Sequence, residues 1–269
     1  EKELERHLQA ERASEWGILI TEWQERINME RLRKYRLERA QQQLKEKGMG
    51  AILCYSYPAM RYITGMWVPG WVRWTRHHQA LLCRGADPYF YARGSFVFMH
   101  KRTAPWLKDR IFPSFWYSKG AFGPEVTEER SKEVAREVQK RMKENGVAGE
   151  PVEVDIDTPL PIVRALEKAG MKVLDGEEAI MDAKAIKSAE EIDCMRVAAS
   201  IAEACFEEAK NALRPGVKGN ELVGLILNKA FSMGGECDMV QPIVCSGPQT
   251  NMPCSCRGYS DRIIRPGDL

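Results

Sequence analysis

Long apolar runs are missing from this chain. No stretch of the 269 residues reaches 18 apolar residues in a row, so no membrane-crossing helix is expected. The opening EKELERHLQAERASEW is charged and carries no mark of a secretion signal. An excess of one charge is missing too. The 40 Lys and Arg are interleaved with 38 Asp and Glu, which leaves no continuous basic face and argues against a nucleic-acid partner. Histidine is scarce: His7, His77, His78 and His100 are all there is. A Gly-rich phosphate loop and a Gly-x-Ser-x-Gly elbow are absent, and no Ser/His/Asp set can be placed.

The eight cysteines are scattered and read as reduced thiols of a cytoplasmic protein. Cys254-x-Cys256 matches half of a zinc site, but no second pair stands at zinc-ligand spacing. The chain starts at Glu1 instead of Met. It stops after Arg265-Pro266-Gly267-Asp268, a turn sequence whose next residue, Leu269, reads as the first of a strand. Both ends are expected to continue.

Three segments are expected: a charged lead-in over 1–27 with Trp16 and Trp23, an α/β domain over 28–178, and a helical segment over 179–269. In the second, short apolar runs bounded by turn residues (AILCYSY, HHQALLC, YFYA, PVEVDI, KVLD) alternate with amphipathic helical stretches, the pattern of an α/β fold. Thr158 and Pro159 are placed as the N-cap and first residue of one helix. Asp155 and Asp157, two apart at a strand end, read as helix starters rather than metal ligands. In the third segment Ser188 and Glu191 form a capping box. The helix after it carries Ile192, Met195, Ala199, Ala202, Phe206, Ala209 and Leu213 along one side. A second helix ends at Gly234-Gly235, and MVQPIVCSG reads as a strand.

The order of these features resembles the pita-bread metal-dependent hydrolases: prolidase, aminopeptidase P, creatinase and methionine aminopeptidase. The matching residues are Lys187-Ser188 before Glu190-Glu191-Ile192, then Met195-Arg196. Arg214-Pro215-Gly216-Val217 stands ahead of Glu221-Leu222, and Ser246-Gly247 precedes the closing Arg265-Pro266-Gly267-Asp268. Upstream, Arg61-Tyr62-Ile63-Thr64-Gly65 is similar to a turn in the N-terminal domain of the creatinase/prolidase branch.

This resemblance implies a creatinase-type N-terminal domain followed by the start of a pita-bread α+β domain. It also implies two divalent metal ions, Mn, Fe, Zn or Co, whose five ligands would lie beyond Leu269, so the 269 residues alone are expected to be inactive and to bind no metal. A homodimer acting on a peptide or small-molecule substrate follows by the same likeness. One subunit's N-terminal domain would reach its neighbour's site, which places Trp74 and His77 near substrate. Cys254 stands where the peptidases carry the His of a Pro-His pair, and a thiol does not replace an imidazolium in binding a carboxylate. The loop SGPQTN, with YRLER and WTRH upstream, is also similar to the branch that cleaves dimethylsulfoniopropionate by base-promoted elimination. Three readings stand: an Xaa-Pro peptidase-like hydrolase, a C–S lyase on the same fold, and a metal-free scaffold that binds peptides or proteins.

Overall fold

The computed structural model describes residues 27–68, 77–107, 109–115, 123–236, 242–251 and 261–269. The chain divides into two compact units, Glu30–Ser188 and Ala189–Leu269, the latter grouped with residues up to Met29.

In the first unit, helix α1 (Met29–Glu46) leads into strand β1 (Ala51–Cys54) and helix α2 (Tyr57–Thr64). Strands β2 (Gln79–Cys83) and β3 (Tyr89–Ala92), helix α3 (Gly94–Thr103) and strand β4 (Ile111–Pro113) follow. Helix α4 (Pro124–Glu144), β5 (Val152–Val154), α5 (Leu160–Lys168), β6 (Val173–Asp175) and α6 (Glu177–Ala185) complete it. The six strands lie in the order β4-β3-β2-β1-β5-β6. β2 runs antiparallel to both β1 and β3, and the remaining pairs are parallel. The α/β architecture expected from the alternating pattern is therefore present.

Alternation along the strands sorts the core into two layers, as a period of two requires. Ile52, Cys54, Ala80 and Leu82 face Leu44 of α1, Met60 and Ile63 of α2 and Ile180 of α6. Ala51, Leu53, Leu81 and Cys83 face Val134 and Val138 of α4 and Ile162 and Leu166 of α5. The strands are short and apolar because both faces are covered. Cys54, Cys83 and Cys205 are buried free thiols, in keeping with cysteines used for packing.

Asp155 behaves differently from its sequence reading. Its carboxylate crosses the sheet instead of starting the next helix: Oδ2 accepts from the backbone N–H groups of Tyr55 (2.8 Å) and Ser56 (2.6 Å). Thr158 is not the N-cap of α5, which is Pro159; its hydroxyl donates to Asp155 Oδ1 at 2.9 Å. Two backbone donors of the β1–α2 turn would be orphaned without this carboxylate. Ser56 then caps α2, accepting from Ala59 N. Gly65 ends α2 with φ of 71°. A Cβ there would lie 2.7 Å from Arg33 Cδ, so the glycine closing the Arg61–Gly65 turn is required by both conformation and space.

One carboxylate inside this unit is poorly solvated. Glu153 of β5 is 2% exposed, and its Oε2 is buried without a hydrogen-bond partner. Burial pushes its pKa up to about 7, opposed by the Lys47 ammonium. Lys47 is itself held by Glu178 (3.2 Å) and Asp182 (3.1 Å) of α6.

In the second unit, helices α7 (Ala189–Ala212) and α8 (Gly219–Ser232) pack together. The connection is pinned by Gly216 N to Ile264 O and Ile264 N to Val217 O, both 2.9 Å. Val217, Leu222 and Ile264 form a small core. Residues 242–246 of the expected MVQPIVCSG strand are irregular and Met239–Gln241 lie outside the described residues, as do Trp16 and Trp23. Met195, Phe206 and Leu213, placed on the packing side of α7 by periodicity, are 59%, 75% and 55% exposed.

Candidate functional site

β2 and α3 bring two of the four histidines together. His78, just ahead of β2, and His100, on α3, are each 1% exposed. Their rings meet edge to face with centroids 5.5 Å apart, and Phe90 stacks on His78 at 5.6 Å. Phe96 closes the cluster against both imidazoles. Among the described residues neither nitrogen of His78 has a hydrogen-bond partner, nor does Nε2 of His100. Burial lowers the His78 pKa to about 3, helped by the neighbouring His100 and His77, and burial lowers that of His100 to about 4. Both are therefore neutral near pH 7. A buried neutral pair of this kind packs as aromatic surface.

His77 is the accessible member. It is partly exposed, and burial and the Arg93 charge lower its pKa. The other two residues expected to contact substrate, Trp74 and Cys254, lie outside the described residues. His100 was not grouped with His78 in the sequence reading, because 21 residues and a β-hairpin separate the two and only the fold joins them.

In the second unit the Ser-Gly pair and the Gly-Asp turn form a clasp. The Arg262 guanidinium donates to Asp268 through Nη2 to Oδ1 (2.8 Å) and through Nη1 to Oδ2, and Nη1 also donates to Ser246 Oγ at 2.9 Å. Asp268 Oδ2 accepts from Arg265 N at 2.7 Å, and Gly247 N donates to Leu269 O at 3.0 Å. The side-chain bond between them is the main cause that holds the Asp268 pKa below and the Arg262 pKa above their ordinary values, and the Arg265 N–H lowers that of Asp268 further. A fork-to-fork pair of this sort fixes direction as well as distance. It rests on Gly247, where a Cβ would fall 2.5 Å from Arg262 Nη2 and 2.6 Å from Asp268 Oδ1. Gly247→Ala is expected to break the clasp, with faster exchange of the amides at position 247 and of Arg265 and no change in the exchange of the first unit. Unchanged exchange at those two amides would refute the role given to Gly247.

The arrangement differs from the metal centre that the resemblance implies. Among the described residues no three His, Cys, Asp or Glu side chains converge to hold a metal ion. Asp268 is already occupied by Arg262 and the Arg265 N–H. These residues do not fit a dinuclear site.

Comparison with known proteins agrees with the two units. Residues 36–186 match the Creatinase/Prolidase N-terminal domain, and residues 193–269 match metallopeptidase family M24. A curated relative, dimethylsulfoniopropionate lyase DddP of Roseovarius nubinhibens, is 26% identical over 238 residues, covering 83% of this chain and 50% of the relative. The chain thus spans about half the length of that protein. Among solved structures, prolidase from Thermococcus sibiricus superposes with a TM-score of 0.67 at 20% identity, over 88% of this chain and 59% of its own. X-Pro aminopeptidase from Thermotoga maritima gives 0.65 at 16% identity, over 86% and 58%. Xaa-Pro dipeptidase from Bacillus anthracis gives 0.61 at 20% identity, over 87% and 58%. These structural likenesses establish the fold. With more than half of its residues matched by one domain model and most of the rest by the other, the chain belongs to the creatinase/prolidase group of the pita-bread superfamily, its N-terminal domain joined to family M24 sequence.

Proposed function

We propose that the protein to which these residues belong is a cytoplasmic, homodimeric metal-dependent hydrolase of the Xaa-Pro peptidase type. The observation that carries this reading is the succession of a creatinase/prolidase N-terminal domain and family M24 sequence in one chain. In this reading two divalent ions are bound by residues outside the 269 and supply Lewis-acid and hydroxide chemistry. Trp74 and His77 contribute to the neighbouring subunit's substrate pocket, and Cys254 lies in the substrate loop. Among the described residues no helix is long and apolar enough to cross a membrane, which is compatible with that setting.

A second reading, a C–S lyase acting on dimethylsulfoniopropionate, is favoured by the lyase relative and by Cys254 in place of the peptidase His. One experiment separates the two. The full-length protein, loaded with Mn²⁺, is offered Xaa-Pro dipeptides and, separately, dimethylsulfoniopropionate, with free proline and headspace dimethyl sulfide as readouts. The hydrolase reading expects proline release above a metal-free control and no dimethyl sulfide. Dimethyl sulfide without proline release establishes the lyase, and neither product favours the metal-free scaffold. The isolated 269 residues are expected to be inactive on both substrates.

A further inference from the structure

The outer face of the first unit carries a groove of about 690 Å³ between α4 and α5, within the usual size range of binding clefts. Its floor is made by small side chains, chiefly Ala135, Ala165 and Ala169. Each wall carries two cations one helical turn apart: Lys132 and Arg136 on α4, Arg164 and Lys168 on α5. Like charges at this spacing repel and weaken a helix by themselves. On α4 the repulsion is relieved, since Lys132 pairs with Glu128 at 3.1 Å and Arg136 with Glu129 at 3.1 Å. On α5 it is not. Among the described residues neither Arg164 nor Lys168 has an ion pair or hydrogen bond, and Lys168 acts on Glu128 only through space. Both are exposed. The even mixture of charges in the sequence therefore conceals a local surplus: Glu128 and Glu129 are taken up by the α4 cations, and among the described residues Arg164 and Lys168 are left over.

We propose that this groove docks an acidic amphipathic segment of a partner protein, its small apolar side chains on the alanine floor and its carboxylates against Arg164 and Lys168. The match is one of charge and of shape. A helix or extended strand with Glu or Asp at one-turn spacing neutralises the α5 pair, and its apolar residues cover the floor, the groove mode of peptide recognition. Nucleic acid fits less well: among the described residues no aromatic side chain lines the groove to stack a base. A lipid surface fits less well because the cations line a concave trough.

The test uses the 269-residue chain and a fluorescein-labelled peptide of Glu, Leu and Ala with Glu at every fourth position, followed by fluorescence anisotropy in low salt. The wild-type chain is expected to bind this peptide and to lose most of the binding in 0.5 M NaCl, since exposed charges are screened there. Arg164→Glu/Lys168→Glu is expected to weaken binding at least tenfold, and Arg164→Gln/Lys168→Gln by a smaller factor, with thermal unfolding of both variants unchanged. A Lys-for-Glu version of the peptide should not bind. Equal affinity of wild type and the charge-reversed variant would overturn the proposal. So would tighter binding to a single-stranded RNA or to phosphatidylserine vesicles than to the acidic peptide.

Discussion

Acidification from pH 7 to pH 5 is expected to remove a large part of the first unit's stability through His78 and His100. Both imidazoles are neutral in the folded state, with pKa values of about 3 and about 4 against an ordinary value of 6.5. Unfolding frees them to take up protons as soon as the pH drops below 6.5. The unfolded chain therefore binds more protons throughout the interval, and stability must fall with pH. At pH 5 the cost is about 2 kcal/mol for each imidazole, roughly 4 kcal/mol for the two, a substantial share of the 5–15 kcal/mol typical of a domain. Urea unfolding of the wild type between pH 5 and 8, beside His78→Phe and His100→Phe, measures this. Each variant should lose about half of the acid-dependent slope. At pH 7 the replacements also remove buried nitrogens that have no partners, so they should not destabilise beyond the strain of a slightly larger ring. A wild-type slope retained in both variants would refute the assignment.

Glu153→Gln is expected to act in the opposite direction on the pH scale. The Glu153 carboxyl has its pKa raised by burial from 4.5 to about 7. A raised carboxyl binds its proton more tightly when folded, so stability declines as pH rises from 4.5 to 7, and the loss is complete above 7. An amide carries no such cost. The variant should be more stable than wild type by about 3 kcal/mol at pH 8 and no more stable below pH 4.5. Lys47 remains paired with Glu178 and Asp182 in either case. Equal stabilisation at both pH values would show that packing, and not ionisation, is responsible. The histidines act in the opposite sense, and for these three groups alone the opposing slopes cancel near pH 7.

Strand and helix positions in the first unit were legible where local chemistry decides them. The AILC, QALLC and YFYA strands are short, wholly buried runs, and the helix that ends at Gly234-Gly235 stops where the sequence puts it. β4 escaped notice because three residues ending in Pro113 have too little length to show a period. Asp155 was misread because a carboxylate next to Thr158-Pro159 matches a local capping pattern, whereas its partners, Tyr55 N and Ser56 N, lie about 100 residues upstream. The apolar side of α7 was correctly periodic, yet periodicity shows which residues share a face and not what covers it. The same limit applies to the groove. Arg164 and Lys168 look unremarkable in a charged helix until α4 brings Lys132 and Arg136 alongside.

The order of strands also dictates an order of assembly during synthesis. β1 through β4 come from one continuous stretch, residues 51–113, and pair along one side of β1. The other side of β1 is claimed by β5, with Ala51 opposite Val152, so a loop of about 100 residues must close first, at an entropy that grows with its logarithm. Until then β1, wholly apolar, presents an open hydrogen-bonding edge, the kind of edge on which nascent chains stick to one another. Asp155 follows directly behind β5 and seizes the Tyr55 and Ser56 amides as the strand arrives. It is the fastener that ends this vulnerable interval, so Asp155→Ala is expected to lower soluble yield as well as the stability of the folded chain, which is left with two unpaired backbone donors.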